Sequence, residues 1–132
     1  MNISNKPRSR RLRKKLRTDE FHSRPYPIEG AIAKRVLDFT CSDGRILPAL
    51  VCIWLPLEVN AHHWRCPWLI QTNDFEKADC CTGDDSMQAL LLATHVISSH
   101  LTALEGKFDG RFSQYGQDHG FPALNQNTFG TS

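Results

Sequence analysis

A chain of 132 residues is the size of one domain and can bury a core without disulfide or metal staples. Its 40% apolar and 23% charged residues exclude a wholly disordered polymer and lead us to expect a soluble globular body. The net charge of +2 hides an uneven distribution. Lys6, Arg8, Arg10, Arg11, Arg13, Lys14, Lys15 and Arg17 are eight of the sixteen basic residues, and no acid precedes Asp19. From Thr18 onward eight bases face fourteen acids, a balance of −6.

In chain order, Met1 to Arg17 offers only Ile3, Leu12 and Leu16 for burial among eight like charges. That composition predicts a disordered arm or a nascent helix. The two prolines and the glycine of Arg24-Pro-Tyr-Pro-Ile-Glu-Gly30 bar regular structure and predict a linker. Ala31 to Cys41 alternates, with Ala33, Leu37, Phe39 and Cys41 on one side and Lys34 and Asp38 on the other, which predicts a half-buried strand. Ser42-Asp43-Gly44-Arg45 carries the Asp-Gly signal of a tight hairpin.

Ile46 to Leu57 is an almost unbroken apolar run and reads as an inner strand covered on more than one side, with Pro48 and Pro56 at ends or irregularities. Val59 to His62 reads as a turn. A third strand follows at His63 to Thr72, with Trp64, Cys66, Trp68 and Ile70 on one face, and a short fourth at Glu76 to Thr82.

The strongest pattern lies between Asp84 and Gly106. Met87, Leu90, Ala93, Ile97, Leu101 and Leu104 recur at three- and four-residue steps, with Ala89, Val96 and Ala103 widening the stripe into a core-facing surface. Asp85 and Gln88 have capping-box spacing, and Gly106 is placed to end the helix. Lys107 to Ser132 has no clear period; Phe108, Phe112, Tyr115, Phe121 and Leu124 are expected to patch the sheet edge or helix end.

These elements predict an α+β fold, an antiparallel sheet of about four strands with one long C-terminal helix packed across one face. The expected organisation is a basic arm and Pro-rich linker over 1–30, the domain over 31–126 and a loose C-terminus over 127–132.

Five cysteines, with no secretory signal before them, suggest free thiols in a reducing cytoplasm. Thr18 to Gly30 lacks the apolar run of a signal peptide, although an Arg-rich, acid-free start is also a trait of organellar transit peptides. No unbroken apolar stretch reaches the roughly 18 residues of a membrane span, and no membrane partner is expected.

Candidate chemistry is sparse. His62, His63, Cys66, Cys80 and Cys81 include zinc-ligand types, but lack C-x2-4-C spacing, and His63 and Cys66 would point to opposite faces of a strand. Cys80 or Cys81 would feel a helix N-terminus, yet the histidines that could act as bases, His95 and His100, lie turns away. Asp84 and Asp85 suit capping better than acid–base work. No phosphate-cradling glycine motif occurs. No catalytic residue, metal or cofactor is therefore expected.

The arm is different. Eight cations within twelve residues favour a polyphosphate that releases counterions on binding, and five of them are arginines suited to forked phosphate contacts. Without a base-reading fold, such binding works by charge and shape.

Arg8-Ser-Arg-Arg-Leu-Arg-Lys-Lys-Leu16, followed by Glu20-Phe21, resembles the opening segment of the YggL family of small bacterial proteins that bind the large ribosomal subunit. That likeness implies ribosomal RNA or the large subunit as partner and the eight arm cations as contacts. Trp64-x-Cys66, Gly83-x-Asp85-Ser-x-Gln88-Ala-Leu90 and Gly120-Phe-Pro122 resemble an uncharacterised family of small bacterial α+β domains, which implies an architecture and no activity. The sequence thus predicts a non-enzymatic, cytoplasmic accessory protein that binds structured RNA through its arm. The alternative is a protein-binding module of immunity or antitoxin type that uses the acidic body.

Overall fold

The computed structural model of the chain describes residues 27–123. Two units divide it, Met1–Ala31 and Ile32–Ser132. Of the first, Ile28–Gly30 form one 3₁₀ turn, in which the Gly30 N–H donates to the Pro27 carbonyl at 2.9 Å.

The second unit is an α+β domain with strands β1 (Ala33–Cys41), β2 (Ile46–Ile53), β3 (Leu57–Asn60), β4 (His63–Gln71) and β5 (Glu76–Gly83), then helix α1 (Ser86–Phe108) and strand β6 (Gly110–Ser113). All pairings are antiparallel: β6 with β1, β1 with β2, β2 with β4, and β4 with β5. Because β5 takes one edge of β4 from Trp64 to Gln71, the other edge is shared. Its C-terminal half pairs with β2, its N-terminal half with β3.

The sheet therefore has six strands rather than about four. Ile46 to Leu57 is broken at Trp54–Pro56, and Leu57–Asn60 resumes pairing where a turn was expected, so that the reversal is confined to Ala61 and His62. The other added strand, β6, is four residues long and too short to show a period. It is recognised by its register, with Phe112 opposite Phe39.

Both ends of α1 have a physical cause. Asp85 is the N-cap: its Oδ1 accepts the Gln88 N–H at 2.7 Å, while Gln88 Oε1 accepts the Asp84 N–H at 2.6 Å. At the other end Gly106 is inside the helix, and Asp109 takes the left-handed conformation at φ 55°. Asp tolerates that region through its short polar side chain. The extra turn brings Phe108 onto Phe75, stacked at 4.3 Å, and lets Glu105 Oε2 accept the Phe112 N–H at 2.8 Å.

The helix buries Ala89, Ala93, His95, Ile97, Ser98, Leu101 and Leu104. Met87 and Ala103, expected in the stripe, are exposed. By length and composition α1 could cross a membrane, but its buried side packs on β4, β5 and β6.

Leu37 and Phe39 of β1, Ala49, Val51 and Ile53 of β2, Cys66, Trp68 and Ile70 of β4 and Phe112 of β6 meet the helix in one core. The shared face expected for Trp64, Cys66, Trp68 and Ile70 is present, with Trp64 partly buried. Gly83 marks a close approach of helix and sheet, since a Cβ there would lie 2.6 Å from the Ala89 nitrogen.

Beyond β6 the chain turns at Gln114–Gln117, whose ends exchange backbone hydrogen bonds at 2.8 Å. Tyr115 occupies the tip at φ 53° and is 90% exposed, so it patches nothing. Phe121 does pack on the core. Arg35 holds this segment, its Nη1 donating to the His119 carbonyl at 2.9 Å and its guanidinium lying 5.0 Å from the Phe121 ring centre. Leu124 lies outside the described residues.

Candidate functional site

The eight arm cations, Lys6, Arg8, Arg10, Arg11, Arg13, Lys14, Lys15 and Arg17, all lie outside the described residues. Within 27–123 the sequence has seven bases and twelve acids, a balance of −5, so the described body is acidic. Its remaining sequence-predicted candidates can be followed individually.

The zinc-type residues do not converge. His62 and His63 are exposed at the β3–β4 turn while Cys66 is fully buried under the helix. Among the described residues no group of three His, Cys, Asp or Glu side chains is arranged to hold a metal. Asp85 is engaged at the helix cap, and Asp84 supplies the N–H that Gln88 satisfies.

The five cysteines are free thiols. Burial, with a smaller contribution from charge on the neighbouring Cys81 and Cys80, pushes the Cys66 thiol up to about 12. Burial also raises Cys52, Cys80 and Cys81; nearby Arg65 partly offsets this at Cys80. A thiol that is a ready nucleophile at neutral pH needs the opposite shift.

His100 lies over the Trp68 ring with centroids 4.8 Å apart, and burial, then the positive charge of Lys77, lowers its pKa. Trp68 Nε1 is buried without a hydrogen-bond partner among the described residues.

The side of the sheet away from α1 carries a feature that sequence reasoning missed. Val36, Pro48, Ala49, Leu50, Gln71, Thr72 and Asn73 line an open depression of about 580 Å³. Register explains the lining, because Val36 stands opposite Leu50, and Leu50 opposite Gln71. The polar rim is already engaged: Gln71 Nε2 donates to Glu76 Oε1 at 2.9 Å, and Thr72 Oγ1 accepts the Asp74 and Phe75 N–H groups at 3.0 and 3.1 Å. No lining side chain titrates. Such a hollow offers shape and apolar surface and has no acid, base or nucleophile.

In the sequence, the signals were Val36 in the polar phase of β1 and the two exposed apolar residues of β2, Ile46 and Pro48. The expected cover on both sides of this strand holds at Cys52, which is fully buried, and fails at Ile46, which is 61% exposed.

Residues 33–123 match the model of one protein family, which thus spans more than half of the chain. The chain belongs to the DUF6968 family. That family is described as a domain of unknown function. No curated protein and no solved structure matches the chain.

Within the domain, three groups of residues singled out in the sequence have structural duties. Cys66 lies in the core beside Trp64, Gly83 admits the helix that Asp85 and Gln88 cap, and Gly120–Phe121 is held by Arg35.

Proposed function

We propose that this protein is a non-enzymatic, cytoplasmic accessory protein that binds ribosomal RNA, or another structured RNA, through Lys6, Arg8, Arg10, Arg11, Arg13, Lys14, Lys15 and Arg17. The single observation carrying this reading is eight cations in twelve residues with no acid before Asp19, joined to a body of opposite sign. A polyanion gains from such a cluster by counterion release, whereas an uncharged partner does not. The YggL-like order of Arg8 to Leu16 and Glu20-Phe21 favours the large ribosomal subunit among RNA targets. Supporting the non-enzymatic part is the body itself, where burial raises the Cys66 thiol and the depression has no titratable lining.

Co-sedimentation with ribosomes tests the reading. Removing residues 1–17 is expected to abolish it, and if about five phosphates are engaged the salt slope is near −4.5 in log affinity. Undiminished co-sedimentation of the truncated protein would reject the proposal.

A second reading has its own observation. The hollow around Val36, Pro48 and Leu50 on an acidic body suits a protein partner, as in an immunity or antitoxin module. Retention of one stoichiometric protein by the chain lacking residues 1–17, and its loss on Leu50→Asp, would favour this over RNA.

A further inference from the structure

Among the five cysteines, one pair stands directly opposite in a strand register: Cys66 of β4 and Cys81 of β5. Neighbouring residues determine what kind of pair it is. Pro67, opposite Cys80, has no N–H to give, and its carbonyl accepts from Trp54 N at 3.1 Å on the far side. The Cys80 N–H is taken by the Asp79 carboxylate at 2.8 Å. Pro67 and Cys80 therefore exchange no ladder bonds, so the adjacent pair, Cys66 and Cys81, is the hydrogen-bonded one.

In such a pair the Cα atoms are about 5.5 Å apart, inside the roughly 4.4–6.8 Å that a disulfide spans. The Cβ atoms, at the wide end of about 4.5–5.5 Å, must draw together to the roughly 3.5–4.5 Å of the bond, which makes it strained and readily reduced. The two side chains share the helix-covered face, with Cys66 fully buried in the core and Cys81 half-buried against it. Cys66 Sγ now donates to the Trp54 carbonyl at 3.5 Å, a contact that a bond to Cys81 would replace. Cys80 lies on the other face, opposite Pro67, and Cys52 and Cys41 face Leu69 and Gly110.

We propose that Cys66 and Cys81 are a peroxide-oxidisable dithiol that closes into a cross-strand disulfide and ties the edge strand β5 to β4. The half-exposed residue reacts first. The Cys81 thiolate attacks hydrogen peroxide, breaking the O–O bond to give a sulfenic acid and hydroxide. The Cys66 thiol then attacks that sulfur, forming the S–S bond, and its proton leaves with the sulfenic oxygen as water. Two electrons pass from the two sulfurs to the peroxide. Because burial raises both thiols, closure is slow at neutral pH and speeds up as the thiolates form.

The test treats the full chain with hydrogen peroxide under non-reducing conditions, follows it by intact mass and peptide mapping, and repeats it with Cys80→Ser and Cys81→Ser. Expected is a monomer lighter by two hydrogen atoms, linked between the Cys66 and Cys81 peptides and restored by dithiothreitol. The link should persist in Cys80→Ser, vanish in Cys81→Ser, form faster at about pH 9 than at about pH 7, and slow amide exchange along β5. A link that survives Cys81→Ser, one that requires Cys80, an intermolecular dimer, or sulfinic acid without a disulfide would each overturn the assignment. Cys81 is half-buried at an edge strand, so its serine variant keeps the fold, as an unchanged circular dichroism spectrum would verify.

Discussion

The two faces of one sheet differ in what they are built for. Under α1, Leu37, Phe39, Trp68, Ile70 and Phe112 are almost completely buried and pack on helix residues from Ala89 to Leu104. On the opposite face Val36 is 62% and Ile46 61% exposed, although they alternate with the buried residues of the same strands. One face thus holds the main core, while the other is buried in part, at Cys52, Pro67 and Leu69. The other has apolar surface beyond what folding uses, and Asp79, by bonding the Cys80 N–H, blunts one outward group of the β5 edge. The comparison makes the helix side a matter of cohesion and leaves Val36 and Ile46 open to solvent on the other side.

Substitutions can sharpen or break this contrast. The largest effect is expected from Trp68→Ala, which empties the centre of the covered face and should cost about 3–5 kcal/mol in denaturant unfolding. Val36→Ser on the other face should stay within about 0.5 kcal/mol. Similar losses at the two positions would show that the second face is structural after all. Next, Gly83→Ala forces a methyl against the Ala89 nitrogen and should cost about 1–3 kcal/mol, with helix and sheet pushed apart.

Asp85→Ala removes the N-cap and should cost about 1 kcal/mol in thermal or chemical unfolding, while Asp85→Asn should recover most of that loss.

The smallest expected effect is one of pH. The folded pKa of His100 lies below its ordinary value because burial and Lys77 disfavour the charged imidazolium. The unfolded chain therefore takes up the proton first, and stability is complete above about pH 6.5 and declines as pH falls below it. His100→Asn should flatten the stability profile between about pH 7 and pH 5, and an unaltered profile would remove His100 from the account.

Some parts of this molecule were readable without coordinates because their causes are local. The period of Leu90, Ala93, Ile97, Leu101 and Leu104, the Asp85–Gln88 cap and the alternation around Leu37 and Phe39 follow from residues a few positions apart. The missed elements depend on distant partners. Leu57–Asn60 is a strand because His63–Arg65 returns beside it, and Gly110–Ser113 because Asp38–Cys41 offers a free edge. Gly106 looked like a helix stop, yet stacking of Phe108 on Phe75 carries the helix past it. Met87 fell in phase with the apolar stripe but stands at the helix entrance, beyond the reach of the sheet, and is 63% exposed.

What the sequence determined by itself is the fold class, the long helix and its cap, and the separation of a cationic segment from an acidic body. Periodicity, capping and charge are properties of neighbouring residues, and they act before any long-range contact forms. Only the tertiary structure decided the sixth strand, the hollow between Val36 and Gln71, and the meeting of Cys66 with Cys81. Each joins residues far apart in the chain, and strand register, which a single sequence encodes only through the packing of all its strands together, sets their positions.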